Sequence, residues 1–454
     1  MLMGAREPMA RTPRLTLSIL AACAALSVAP AGATDVPAAP ALPPALDLET
    51  ALRLVREQGL DVLTAEAAVQ GAEGDARAAA AIPNPTLTGT YGRSTFFGGC
   101  PSDTGCPSIP EPALTAGLSD NAALFDVVIG KRRLRRDVAR AALAAVRLQR
   151  DDALRVLEGQ VKLAFVQVLV SRDTLRFDQE VAASQDRAAA LSRARFENGA
   201  ISEADLARIE TAALEAARAV DSARSDLRSA QVAVAFLLGV RGLVPEFDVV
   251  PGPLESSTVP GPLATATKDS LVARALERRP DVIAARRQAE RSGIAVSLAS
   301  RQRIPDVTLS FDYAQQGTTP SAITPPTFIV GLSVPIPLFY QQQGEIQRAE
   351  ADRRTQSIAV ARAEATAASD VETAWGTYVA ARARVQRMEG GLLERARTAR
   401  DLVTIQYQKG AASLLDLLDA QRTFIATRVE YLQDLGAYWT AIFRLEQAAG
   451  VTLR

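Results

Sequence analysis

Four stretches of the chain alternate apolar and polar residues with a period of two, the mark of strands with one apolar face. In Val307-Thr308-Leu309-Ser310-Phe311-Asp312-Tyr313 the odd positions are apolar. Further on the even positions are apolar: Phe328, Val330, Leu332, Val334 and Ile336, with Thr327, Gly331 and Ser333 between them. The first half of the chain sets Leu87, Gly89 and Tyr91 against Thr86, Thr88 and Thr90. A partner around Leu114 to Leu124 alternates less cleanly. The pattern predicts strand pairs near 85–95 with 113–126, and near 306–315 with 327–336.

The rest of the chain reads as helix. No proline occurs between Pro112 and Pro245 or after Pro337, and these spans are rich in Ala, Arg, Glu, Leu and Gln, all strong helix formers. Long helices are predicted over 131–197 and 344–408, with returning helices over 202–238 and 413–449. At 1.5 Å per residue each long helix would run about 100 Å, beyond any ordinary globular helix and suited to a coiled coil or helical tube. In the second one Val371, Tyr378, Val385 and Leu392 recur every seven residues, with Ala374, Ala381 and Met388 between, which describes a seam. Each long helix turns back at a glycine, Gly199 or Gly410.

The chain repeats itself. Segment 196–240 overlies 407–451 without a gap, so that Gly199-Ala200, Ser202 and Asp205-Leu206 match Gly410-Ala411, Ser413 and Asp416-Leu417. Upstream, Asp61-Val62 parallels Asp281-Val282, and Ile82-Pro83 parallels Ile304-Pro305. A two-fold internal repeat follows, with halves at 34–262 and 263–454, each ordered helix, strand pair, very long helix, turn, helix.

Residues 1–33 read as an export signal: Arg11 and Arg14 precede the apolar run Leu15 to Val28, and Ala31-Gly32-Ala33 offers a cleavage site. Leu20-Ala21-Ala22-Cys23 offers a rival, a lipoprotein box with Cys23 acylated. Either way the chain leaves the cytoplasm. Beyond residue 34 no apolar run is long enough for a membrane-crossing helix. Lys+Arg equals Asp+Glu at 51 each, which argues against nucleic acid as a partner. With no histidine, no nucleophile motif and no phosphate loop, enzyme chemistry and a metal cofactor have little to work with. Cys100 and Cys106 lie between the first two strands; a local disulfide is the plain reading in an oxidising compartment, and a metal-capturing pair the sharper one.

Strands with one apolar face in an exported chain suit a membrane barrel, although a half-buried soluble sheet alternates identically. Four strands cannot close a barrel, and an open edge is not tolerated in lipid. In a membrane, several copies must therefore share one barrel, and three copies give a 12-stranded one. A periplasmic coiled-coil scaffold without a pore is the competing architecture, and it leaves the four strands unexplained.

These features resemble the TolC-like outer-membrane efflux family across the mature chain. The resemblance is carried by the two-fold repeat, the Gly-x-x-Ser-x-x-Asp-Leu turns and Ile82-Pro83-Asn84-Pro85 leading into the first strand. Two segments, Phe125 to Arg132 and Val334 to Glu345, are similar to the heavy-metal cation (CzcC-like) branch. The resemblance implies a mainly α chain with a small membrane β part. Three copies would form a 12-stranded barrel continuing into a long α-helical periplasmic barrel. It further implies a passive duct in the outer membrane, without cofactor or catalysis. Its partners would be the homotrimer's own copies, outer-membrane lipid, a periplasmic adaptor (membrane fusion) protein and an inner-membrane RND-type pump. The cargo is metal cations in one branch, drugs or secreted polypeptides in others.

Function in a duct resides where it narrows, and the turns at Gly199 and Gly410 are the sharp reversals farthest from the strands. Asp416 and Asp419 sit three apart on one helical face. Threefold symmetry would turn each into a carboxylate ring favouring cations, and the resemblance implies that such rings line the closed entrance. The first repeat carries Asp205 but Arg208 where the second has Asp419, so Arg208 is expected to pair across the tip. The resemblance implies that Tyr407 latches the closed tip by bonding to Asp205, although the basic residue sometimes used there is replaced by Ala412. Gly199, Ala200, Gly410 and Ala411 would form the knob on which adaptor hairpins dock. Ordinary capping competes for the same residues, with Ser202 and Ser413 as N-caps and Asp205 and Asp416 at the third helical position.

Overall fold

A computed structural model describes residues 38–93, 112–316 and 324–453. The segment 1–33, Cys23, Cys100 and Cys106 therefore lie outside the described residues. In chain order the elements begin with β1 (Ala45–Leu46), α1 (Leu48–Gln58), α2 (Leu60–Ala80), β2 (Thr86–Arg93), β3 (Pro112–Ser119) and α3 (Ala123–Ile129). There follow α4 (Lys131–Glu197), α5 (Glu203–Leu237), β4 (Asp248–Val249), α6 (Gly261–Ala264), α7 (Lys268–Arg278) and α8 (Pro280–Arg301). The last are β5 (Thr308–Gln316), β6 (Thr324–Ser333), α9 (Gln343–Arg387), α10 (Leu393–Gln408) and α11 (Leu414–Ala449). The helix expected to precede each strand pair is two helices, broken at Gly59 and at Arg279-Pro280. No helix among the described residues is long and apolar enough to cross a membrane.

Strands β2, β3, β5 and β6 form one antiparallel sheet in that order. The register brings the apolar positions together: Leu87 opposes Leu118, Leu118 opposes Phe311, and Phe311 opposes Val330. Phe311 and Phe328 stack at 5.8 Å. On the other face Thr88 opposes Gly117, which opposes Asp312, and Ser310 bonds to Asp312 at 2.9 Å. The apolar face is exposed, with Val330 77% and Leu87 75% accessible. No described residue of the protomer covers it.

Strand β3 is shorter than its pattern predicts. It ends at Ser119, and residues up to 126 turn and enter α3. The Asp120 carboxylate stops it by accepting the amides of Ala122 and Leu124 and that of Leu309 on the neighbouring strand, at 3.0, 3.3 and 2.8 Å. Asn121 and Ala122 take left-handed backbone at φ 50° and 61°. Strand β6 ends at Ser333 instead of Ile336, because Pro335 and Pro337 have no amide to pair.

The long second helix is also interrupted. Val371, Ala374, Tyr378, Ala381, Val385 and Met388 form the buried seam. The next seam position, Leu392, is half exposed, because a π turn over Met388–Leu392 with Gly391 at φ +142° breaks the period. That backbone angle suits glycine alone. Glu389 anchors the break, receiving hydrogen bonds from Ser257 and Tyr431 at 2.6 and 2.9 Å. Burial and Glu389 together push the Tyr431 hydroxyl up to about 12, so it remains a donor.

The core lies where the middle of α4 meets α1, α7, α9 and the C-terminal half of α11. Phe165, Tyr438, Ile442, Phe443 and Leu445 are fully buried there, and Tyr438, Trp439 and Phe443 serve as core aromatics. Inside it Lys162 Nζ pairs with Glu446 at 2.8 Å. Arg279, 3% exposed, bonds to Asp281, to Asp370 at 2.9 Å and to the Ala448 carbonyl. Removing one partner of a buried pair strands the other charge, at about 3–5 kcal/mol. Lys162→Met is therefore expected to lower the thermal midpoint of the detergent-purified protein sharply, and Lys162→Met/Glu446→Leu to recover only part of the loss, because the Leu453 amide then lacks its Glu446 acceptor. A midpoint unchanged in the single variant would contradict this account.

Candidate functional site

At the far end of α4 the backbone reverses within five residues. Asn198 ends the helix, Gly199 takes φ +72°, and the Ala200 amide bonds back to the Arg195 carbonyl at 2.9 Å. The end of α10 repeats the geometry, with Gly410 at φ +76° and the Ala411 amide on the Gln406 carbonyl at 2.8 Å. Both are glycine-terminated helix ends in which the back-bonded amides satisfy otherwise orphaned carbonyls.

The returning helices start on serine caps. Ser202 accepts the Asp205 amide at 3.1 Å, and Ser413 accepts the Asp416 amide at 3.2 Å. Asp416 completes a capping box by accepting the Ser413 amide and hydroxyl at 3.0 and 2.6 Å. Those donors hold the Asp416 carboxyl below its ordinary value, the Ser413 hydroxyl contributing most. Ala189, Ile209, Ala213 and Leu414 form a small buried cluster that joins the two hairpins, with Tyr407, Leu417 and Leu418 packed on it.

Within the protomer Arg208 and Tyr407 meet local neighbours. Arg208 pairs along its own helix with Asp205 at 3.4 Å, because three residues of helix bring the two side chains onto one face. The other Asp205 oxygen accepts the Ser202 hydroxyl at 2.8 Å. Tyr407 lies in the apolar cluster, and no hydrogen bond from it to Asp205 is present. Asp419 is exposed and has no ion pair or hydrogen bond among the described residues. Asp416 is thus held by its cap, while Asp419 stands free one turn further on.

Sequence patterns gave no hint of the grooves between the helices near this end. One of about 500 Å³ lies between α4, α10 and α11, lined among others by Arg176, Phe177, Arg397, Arg400 and Phe424. The Arg400 guanidinium lies 4.0 Å over the Phe424 ring. A second, of about 260 Å³, runs between α5 and α11 past Asp178 and Ala216. Gln185 and Gln421 line both grooves and bond to each other at 3.0 Å. No group of acidic or cysteine side chains among the described residues is arranged to hold a metal ion.

The sequence profile described as "Outer membrane efflux protein" matches residues 51–240 and 271–451. The chain belongs to the outer membrane efflux protein family. It is 27% identical over 412 residues to the cobalt-zinc-cadmium resistance protein CzcC of Cupriavidus metallidurans, covering 89% of this chain and 90% of that one. It is 26% identical to the pyoverdine export outer membrane protein OpmQ of Pseudomonas putida, over 83% of this chain and 80% of that one. Its fold superposes on the outer membrane protein VceC of Vibrio cholerae with a TM-score of 0.69 at 19% identity, covering 90% of this chain and 97% of that one. The family is one of channel proteins without enzymatic activity, and the outer membrane is their location.

In this efflux protein the two segments singled out as branch-like are joints. Lys131, 3% exposed, bonds to the Ile304 carbonyl and Asp306 at 2.6 and 2.7 Å. Arg132 bonds to the Ala80 carbonyl, and Arg135 pairs with the buried Asp126. In the second segment Tyr340 donates to Glu345 and accepts the Gly344 amide. These bonds tie the starts of α4 and α9 to the segments that lead to and from the strands.

The capping box carries a pH dependence. A carboxylate depressed on folding stabilises above its unfolded value of 3.8, and the contribution is lost as pH falls through the lower folded value. Hydrogen exchange at the Ser413 amide, corrected for its intrinsic rate, is expected to be slow near neutral pH and fast at about pH 2.5. In Asp416→Ala it should be fast at both. Equal protection at the two pH values in the unaltered protein would remove the charged cap.

Proposed function

We propose that three copies of this chain form a passive export duct, with a shared 12-stranded barrel in the outer membrane and a helical tunnel below it. The reading is carried by the four-stranded sheet, whose apolar face is exposed and whose edge strands β2 and β6 are each paired on one side only among the described residues. A sheet edge in hydrocarbon leaves backbone groups without partners, so it must close on something. The internal repeat, 34–262 and 263–454, then supplies a second pair of strands and a second long hairpin to each third of the wall.

In this duct the tip of the hairpins is the periplasmic entrance. Asp419, unpaired, and Asp416 in its cap form stacked carboxylate rings there, while Asp205, Arg208 and Tyr407 shape the surrounding contacts between helices. Gly199, Ala200, Ser202, Gly410, Ala411 and Ser413 present the small, tightly turned surface on which a periplasmic adaptor docks. An inner-membrane RND-type pump supplies the energy.

Heavy-metal cations are the favoured cargo, supported by the 27% identity to a protein named for cobalt, zinc and cadmium resistance. The 26% identity to a pyoverdine exporter supports an organic cargo as the second reading. Growth and metal accumulation of a deletion strain challenged with zinc, cobalt, cadmium, copper and silver separate the two. Selective cation sensitivity, reversed by the intact gene, is expected; sensitivity to organic compounds alone would reject the metal cargo and keep the duct.

For the entrance, planar-bilayer conductance of Asp416→Ala/Asp419→Ala is the direct measurement. Block by a trivalent cation is expected to weaken about tenfold or more, since each carboxylate contributes on the order of 1 kcal/mol of attraction in a wet site. Unchanged block would place the constriction elsewhere.

A further inference from the structure

We infer that the segment Val334 to Phe339 is an interface with a second copy of this chain, seated against residues 82–85 of that copy as an apolar collar below the barrel. The inference rests on the proposed trimeric duct and adds a contact which seals its wall.

The register of the sheet leads to it. Thr86 pairs with Ser119 and Thr308 with Ser333, so the start of β2 and the end of β6 lie at the same, helical end of the sheet. Strand β2 leaves that end and β6 returns to it. Adding the β2 of a second copy to this β6 therefore continues the antiparallel order, and it brings that copy's residues 82–85 beside residues 334–337 here. Pairing stops on both sides for one reason. Pro83, Pro85, Pro335 and Pro337 alternate along the two segments, and proline has no N–H for a ladder. Two proline-spaced strips are left face to face without a continuous backbone ladder, so side chains must carry most of the contact.

Those side chains are apolar and uncovered in the protomer. Ile336 and Leu338 are each 74% exposed, Phe339 is 98% exposed and Ile82 is 56% exposed. The strip is nonetheless firmly built. The Leu338 amide bonds to the Ile336 carbonyl at 2.9 Å, and Tyr340 ties the end of the strip to Gly344 and Glu345 at the start of α9. A braced loop that presents a fully exposed phenyl ring is an interface seeking its partner.

Strand length favours a protein partner over lipid. Strand β6 has 10 residues, which at about 3.3 Å each and a tilt of about 40° cover roughly 25 Å, the full height of a barrel's apolar band. The apolar positions beyond Ser333 fall below that band, on the side of the helices, where the neighbouring copy's wall stands.

The test is photocrosslinking of the full-length protein in native membranes, with benzoylphenylalanine in place of Phe339. Covalent dimers and trimers are expected, with the adduct mapped to a peptide containing residues 82–85. Adducts confined to lipid or to the same chain, with unaltered protein running as a trimer, would overturn the collar and leave the duct intact. If the unaltered protein is monomeric in mild detergent, the trimeric duct and the collar fall together. A second measurement uses Leu338→Ser/Phe339→Ser, whose trimer is expected to dissociate at a lower temperature while the monomer keeps its helical circular dichroism. An unchanged dissociation temperature would also overturn the collar.

Discussion

A buried ion pair fixes the point from which the rest of the chain extends. Lys162 sits midway along the 67-residue α4, and Glu446 near the end of α11. Their bond holds the longest helix against the last one, with the Lys162 ammonium 5.7 Å from the Phe443 ring. The second Glu446 oxygen accepts the Leu453 amide at 2.8 Å, which ties in the C-terminal residues as well. A single helix of this length gains little from propensity alone and depends on tertiary packing of one stripe. That packing is concentrated here, with Val161, Phe165 and Val168 buried on α4 and Ala441, Ile442 and Leu445 on α11. Both ends of α4 project from this fastened middle, one toward the sheet and the other toward the hairpin turn.

Packing thins along the second arm. Helix α9 has a buried seam, whereas α10, beyond the Gly391 break, has no buried residue at all. What holds the tip is small: one apolar cluster with four buried side chains, two serine caps, two glycine turns and the Arg193–Glu210 ion pair between α4 and α5. Elements with few buried apolar contacts open most readily. The arrangement thus separates a rigid middle from an end with little packing to resist rearrangement, and the Glu389 bonds to Ser257 and Tyr431 mark the boundary between them.

Much of this was legible from residue order because each signal had a single physical cause. Alternation at Leu309, Phe311 and Tyr313 could arise only from a strand with one apolar face, and Gly199 and Gly410 lie where the backbone adopts positive φ. The misreadings arose where two causes compete for one pattern. Ala123 to Ile129 is an apolar run that suits strand or helix, and the Asp120 carboxylate decides it by capping. The heptad through Leu392 continues in the sequence but not in space, because Gly390-Gly391 permits a π turn that no hydrophobic period reports. Arg208 is one turn from Asp205 and pairs with it along the helix within the protomer, whereas a partner across the tip belongs to an assembly of copies. The grooves between α4, α5, α10 and α11 depend on how helices cross, which lies outside the information in any one helix.

The two segments that resemble the heavy-metal branch show what a short motif can mean in a channel protein. Their charged and hydroxyl groups are consumed in tying helix starts to the segments beside the strands: Lys131 to Ile304 and Asp306, Arg135 to Asp126, Tyr340 to Glu345. A change of direction between a sheet and a helical wall leaves backbone carbonyls and amides without ladder partners, and buried polar groups must be satisfied by something. Side chains at fixed spacing are the available solution. These segments therefore report how the wall is joined. In a passive conduit the chemistry that meets the cargo is to be sought on surfaces that remain unpaired, such as the free carboxylate of Asp419, and not among groups already committed to holding the wall together.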